Sequence, residues 1–287
     1  MMQYKLVIFF GFILLLFVSP IIASSFNPSQ DITVEGLETP SQDITVEELE
    51  TPKKLVYAPT TTDVPLDSLE PALSKNVLML FTHSHEAFIP IVKNKSGKTA
   101  VYDSKSNITE FEEIIKMHFN VNSLNTKFLE VDTMDELYNT NRTFSEAYDV
   151  VRPYLSNEIQ NNTYDLIVDL HRDSASRDIS TLTYKNQTFG KIYFVVGEDN
   201  PNYSINQSYS QQISDKLNEL VPGISRGVIG KKGEHVDGIY NQDLAKNMVL
   251  IELGGIENSE EEINRTISVL AQAISIVLQD ESSSKNN

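Results

Sequence analysis

Three short stretches hold the side chains best suited to hydrolytic chemistry: Thr82-His83-Ser84-His85-Glu86, His171-Arg172-Asp173-Ser174 and Glu252-Leu253-Gly254-Gly255. Two histidines and one carboxylate, with a fourth position left open, make a common catalytic zinc sphere. Zinc acidifies water to near neutrality and polarises a carbonyl, and a carboxylate outside the sphere then moves the proton. In this pattern His83, Glu86 and His171 supply the ligands and Glu252 is the base. His85 rivals His83, because residues two apart along an extended chain keep the same side. A lone histidine after a strand is also compatible with a plain surface role, and Glu252 with the solvated end of a core strand.

These stretches work together only if the chain brings them together. Each follows or ends an apolar run: Val77–Phe81, Tyr164–Leu170 and Met248–Ile251 read as buried strands. Helices are expected at about 107–119, with Ile108, Phe111, Ile114 and Ile115 on one face, and at 144–158, 203–220 and 259–279. A further strand is expected at 127–131. Residues 180–196 suggest a hairpin turning at Asn186-Gln187, with Lys191–Val196 as its second arm. Strands alternating with helices imply an α/β fold, a mostly parallel mixed sheet flanked by helices, spanning residues 76–287. In such sheets ligands bind beyond the carboxyl ends of the strands. Neighbouring strands would therefore gather both histidines and both carboxylates at one edge.

Composition removes other chemistries. The chain has no cysteine, which excludes disulfides, thiolate zinc sites, Fe–S clusters and cysteine nucleophiles. Its formal charge of −17 argues against binding nucleic acid through phosphates. Ser174 beside His171 and Asp173 invites a serine triad, but sequence neighbours rarely meet in triad geometry and no G-x-S-x-G elbow occurs. His118 lies in an expected helix, and His235 in a Gly-rich loop.

The N-terminus reads as an export segment, residues 1–23. Lys5 precedes an apolar stretch from Leu6 to Val18 that ends in small residues. It is either a cleaved signal or an uncleaved membrane anchor. Residues 24–75 read as a disordered acidic tether with ten acidic and three basic residues. Within it SQDITVEGLETP (29–40) is repeated as SQDITVEELETP (41–52). As a flexible coil the tether would span roughly 40 Å. Export without cysteine suits a Gram-positive envelope, and Asn-x-Ser/Thr sequons, as at Asn107 and Asn141, follow from an Asn-rich composition.

Several long motifs carry a resemblance: FTHSHEAF (81–88), DLHRDSASRD (169–178), KIYFVVGEDNPNY (191–203), GIYNQDLAKN (238–247) and LIELGGIEN (250–258). From about residue 76 to 279 the sequence resembles the stage II sporulation protein P family of endospore-forming bacteria. That resemblance implies a zinc-amidase (phosphorylase/hydrolase-like) architecture and a Zn2+-dependent N-acetylmuramoyl-L-alanine amidase that acts on peptidoglycan. Some members also cut peptide cross-links. It further implies a membrane-anchored or secreted, extracytoplasmic enzyme of forespore engulfment, working with a lytic transglycosylase and a membrane scaffold. Residue by residue, it assigns the metal ligands to His83, Glu86 and His171 and the catalytic glutamate to Glu252. Glu110 is the runner-up to Glu86, since related amidases take this ligand from the start of the first helix. Ala87 stands where the family pattern leads one to expect serine. The GIYNQDL segment is expected to line the groove, with Asn241 and Gln242 either bonding peptide amides or holding a turn.

Two other functions compete: a non-catalytic wall-binding or complex-forming protein, and a zinc peptidase acting on stem peptides or cross-links. The peptidase needs a cation for a terminal carboxylate, for which Arg172 and Arg226 are candidates.

Overall fold

The computed structural model describes residues 74–234 and 236–285. The export segment, nearly all of the tether and His235 lie outside the described residues. Among the described residues, no helix is long and apolar enough to cross a membrane.

The chain alternates strands and helices, as its apolar runs require. In order they are β1 (Lys75–Leu80), α1 (Ile89–Ser96), α2 (Glu112–Val121), β2 (Leu124–Phe128), α3 (Thr133–Asn139), α4 (Ala147–Asn161), β3 (Leu166–Asp173) and α5 (Arg177–Ser180). There follow β4 (Thr181–Tyr184), β5 (Gln187–Gly190), β6 (Ile192–Gly197), α6 (Tyr203–Leu220), β7 (Ser225–Lys231), β8 (Met248–Gly255) and α7 (Glu260–Lys285). Six strands form one sheet in the order β2-β1-β3-β8-β6-β7. Every pair in it is parallel except β6 with β8. The expected mixed, mostly parallel sheet is thus present, and its three site-bearing strands are consecutive neighbours.

Side-chain alternation divides the sheet into two faces. Val77 and Met79 of β1, Val168 and Leu170 of β3, and Val249 and Ile251 of β8 join the larger core, with Phe119 of α2, Leu217 of α6 and Ile274 of α7. The residues between them, Leu78, Leu80, Ile167 and Met248, form a smaller core with Val151 and Leu155 of α4. Each of these buried apolar side chains contributes about 1.5–3 kcal/mol. The smaller core ends where Asp169 and His171 continue the Ile167 face, and where Leu250 and Glu252 continue the Met248 face. Beyond that point this face of the sheet is open.

Several local expectations shift. The helix expected at 107–119 starts as a 3-10 turn, Ile108–Phe111, whose Asn107 cap accepts from Thr109 N, and ends as α2. β2 lies three residues earlier than read. The hairpin is β4–β5, turning at Lys185-Asn186, both with positive φ (48° and 61°). Lys191–Val196 is therefore not its second arm. That apolar run forms β6 in the main sheet, because its period-2 face is worth more buried between β8 and β7 than on a small exposed hairpin.

Candidate active site

Glu252 and His171 are directly paired across β3 and β8. Just past them the register slips between His171 and Asp173, and Gly254 adopts φ +64°. This is a β-bulge, a device that re-aims side chains at a sheet's functional edge. His83 follows β1 on a tight turn closed by Glu86 N to His83 O at 3.0 Å. Glu86 is pinned by its main chain, through a bridge to Tyr102 and by Ile108 N donating to its carbonyl at 2.8 Å. Its Oε2 accepts from Arg172 N at 2.7 Å and stands 3.8 Å from His171 Nδ1.

The two histidine rings are near-perpendicular, 5.1 Å apart, and Phe144 stacks on His83 at 4.3 Å. Asp169 lies behind His171 on the same face of β3, its Oδ1 3.0 Å from Nε2. The contact is short, but the ring N–H does not point along a hydrogen bond. Asp169 is fixed in turn by Thr82, whose N and Oγ1 donate to it at 3.0 and 2.7 Å. A carboxylate behind a histidine, itself hydrogen-bonded, is the usual arrangement behind a metal-binding imidazole. It leaves Nδ1 facing Glu86 and the cleft. The sequence signal for Asp169 is the D-x-H spacing along β3, which puts both side chains on one face of the strand.

Electrostatics favour a cation here. Burial opposes charge on His171, but Asp169, Glu86 and Glu252 outweigh it and raise the imidazole to about 9. Burial and the neighbouring His171 lower His83 to about 3, which keeps it neutral, as a ligand must be. Burial pushes Glu86 up, and pushes Glu252 up to about 7 with help from Glu86 and Asp173. Three buried polar atoms in this cluster lack hydrogen-bond partners: His83 Nδ1, His171 Nε2 and Glu252 Oε2. Such atoms cost about 1–3 kcal/mol each when left unpaired; His171 Nε2 lies against Asp169 and Glu252 Oε2 belongs to the base, so it is His83 Nδ1 that a bound ion fits. The donor set, two imidazoles and a carboxylate, matches zinc.

The rival residues fall elsewhere. Glu110 points outward and pairs with Lys95 at 2.6 Å. His85 meets Asp132 at 3.0 Å and Asp135 at 3.8 Å on the outer side. That trio lies close enough to hold an ion, whereas the His83–Glu86–His171 atoms are more loosely gathered. However, Asp132 already caps α3 through Met134 N and Asp135 N and accepts from Ser84 Oγ. His118 bonds Asn264 at 2.7 Å, a structural role.

The cluster lies in a cleft of about 740 Å³, lined also by Tyr102, Tyr148, Tyr193, Asp237 and Tyr240. The segment before β8 lines it as expected, but Asn241 and Gln242 do not face a ligand. Asn241 joins Arg152 to Tyr148 O, and Gln242 clamps Gly197 N and Val195 O. Burial commits both amides to bracing the fold. Arg172 is likewise spent, donating to Val101 O and Asp173 O, and Arg226 pairs with Asp173.

A family model described as Stage II sporulation protein P matches residues 26–275. The stage II sporulation protein P of Bacillus subtilis (strain 168) is 27% identical over 207 residues, 72% of this chain and 52% of that protein. The chain thus spans about half the length of the curated relative it matches. Among solved structures, the CwlD amidase of Clostridioides difficile, in complex with the GerS lipoprotein, is 13% identical with a TM-score of 0.44, over 74% of this chain and 100% of that one. The N-acetylmuramyl-L-alanine amidase Ami1 of Mycobacterium smegmatis is 12% identical with a TM-score of 0.41, over 73% and 99%. The fold rests on the sheet order above rather than on these scores.

Proposed function

The chain belongs to the stage II sporulation protein P family, and we propose that it is a zinc-dependent peptidoglycan hydrolase that cuts the N-acetylmuramoyl-L-alanine amide during sporulation. The observation that carries this reading is the convergence of His83, Glu86, His171 and Glu252 from three adjacent strands onto one cleft. His83, Glu86 and His171 would hold the metal, which supplies Lewis acidity to a carbonyl and acidifies water. Asp169 holds the His171 ring in place, and Phe144 holds that of His83. Glu252, with its carboxyl near 7, takes a proton from water and returns it to the leaving amide nitrogen. Cleavage therefore consumes one water and leaves a lactyl carboxylate and a free peptide amine.

Action outside the cytoplasm, attachment through the N-terminal segment, and work beside a lytic transglycosylase and a membrane scaffold belong to the same proposal. Its test is mass spectrometry of products released from purified peptidoglycan. Free stem peptides and peptide-free glycan, lost on chelation and in His171→Ala, are expected. Shortened peptides still attached to sugar would replace the amidase with a peptidase.

A further inference from the structure

The cleft is rich in carboxylates. Glu86, Asp173, Asp237 and Glu252 all line it. Of its cations, Arg172 is committed to two backbone carbonyls, as described above. Arg226, beside the cleft and outside its lining, is held by Asp173 and stacks over Tyr193 at 4.4 Å. Lys231, the last residue of β7, also lines the cleft, is exposed, and has no ion pair among the described residues. Its neighbour Lys232 takes the nearby carboxylate, Glu198, at 2.7 Å. Glu198 lies over Gly230, where an added Cβ would collide with its Oε1. Gly230 faces the opposite side of the strand from Lys231. Lys231 thus remains on the cleft face with an unspent charge.

Register fixes how far Lys231 is from the reacting centre. Glu252 pairs with Tyr193 and Leu250 with Val195, while Lys231 pairs with Gly197. Because β6 runs antiparallel to β8, Lys231 lies level with the start of β8, four residues below Glu252 and two strands away. At about 3.3 Å per residue and 4.8 Å per strand, the two Cα atoms are roughly 16 Å apart. An extended peptide covers about 14 Å in four residues, and the lysine side chain closes the remainder. A stem peptide with its first amide at Glu252 would thus reach Lys231 with its carboxyl end.

We infer that Lys231 binds the terminal carboxylate of the stem peptide and so sets which peptide length the cleft accepts. This rests on the hydrolase reading above. Among the described cleft residues, Lys231 offers an ammonium with no carboxylate or carbonyl already on it, so a peptide carboxylate can pair with it directly.

The test is calorimetric binding of a synthetic muramyl tetrapeptide to the full chain, in a Glu252→Gln background that leaves the ligand intact. Three ligands are compared: the free acid, its C-terminal amide, and an acid whose internal carboxylate alone is amidated. The expected result is that Lys231→Met weakens binding of both C-terminal acids about fivefold and leaves the C-terminal amide unchanged. An equal loss for acid and amide would overturn the inference, as would a parent protein that binds them equally well. A sensitivity that follows the internal carboxylate would also overturn it. Binding of none of the three would sink the peptide-hydrolase reading together with it.

Discussion

His171 and Glu252 face each other across the β3–β8 ladder, so one hydrogen-bonded register sets the distance between a metal-binding imidazole and a proton-carrying carboxylate. Neither depends on a mobile loop for its placement. The ladder continues into the smaller core through Ile167 and Met248. Packing under α4 therefore holds the catalytic geometry.

Glu252→Gln keeps the size and the strand pairing but removes the titrating oxygen. The expected outcome is a loss of about 10²–10⁴ in kcat with the melting temperature kept or raised, since a buried carboxyl is replaced by a neutral amide. Rate and thermal unfolding measured on the same preparation check it.

Asp169→Asn takes the negative charge from behind His171. Zinc affinity is expected to fall about 10–100-fold, read by competition with a coloured chelator. In the metal-free protein the His171 pKa should also fall from about 9 toward the ordinary histidine value, visible by NMR titration.

Gly254 holds φ +64° in the bulge, and a Cβ there would stand 2.5 Å from Ile263 Cδ1. Gly254→Ala is expected to cost about 2 kcal/mol and to lower the melting temperature by about 4–8 °C. Because the bulge aims Glu252, activity should fall further than the loss of folded protein accounts for.

Burial pushes the Glu262 carboxyl up, but hydrogen bonds from Arg177, Asn258 and Ser259 N outweigh it and hold the pKa down to about 2. A carboxyl with a depressed folded pKa adds stability that is present above its unfolded value, near 4.3, and is lost as pH falls through about 2. Glu262→Gln should destabilise the protein at neutral pH by about 1–3 kcal/mol, with the difference shrinking between pH 4.3 and 2. Urea unfolding at a series of pH values checks both parts.

The sequence exposes this site unevenly, for physical reasons. Continuous apolar runs made β1, β3 and β8 legible, and their polar exits marked His83, His171 and Glu252. Strand neighbourhood was only a condition there, because pairing is decided by tertiary packing. Asp169 was hidden inside an apolar run, where a buried acid reads as a strand interruption until its partner is seen. β7 is faint in the sequence because Arg226, Gly227, Gly230 and Lys231 dilute its apolar signal, and Gly227 sits in a bulge at φ +93°. Asn241 and Gln242 fitted both groove and brace, and burial assigns them to the brace. Only the structure separates Lys231 from Lys232, because charge pairing with Glu198 depends on which face each occupies.

The most direct measurement is zinc stoichiometry of the folded chain, by elemental analysis after dialysis, across single variants. About one zinc per chain is expected in the parent, with its loss in His83→Ala and His171→Ala and its retention in His85→Ala and Asp135→Asn. Zinc that persists in His83→Ala and His171→Ala but disappears in His85→Ala would move the metal to the outer cluster and contradict the site described here.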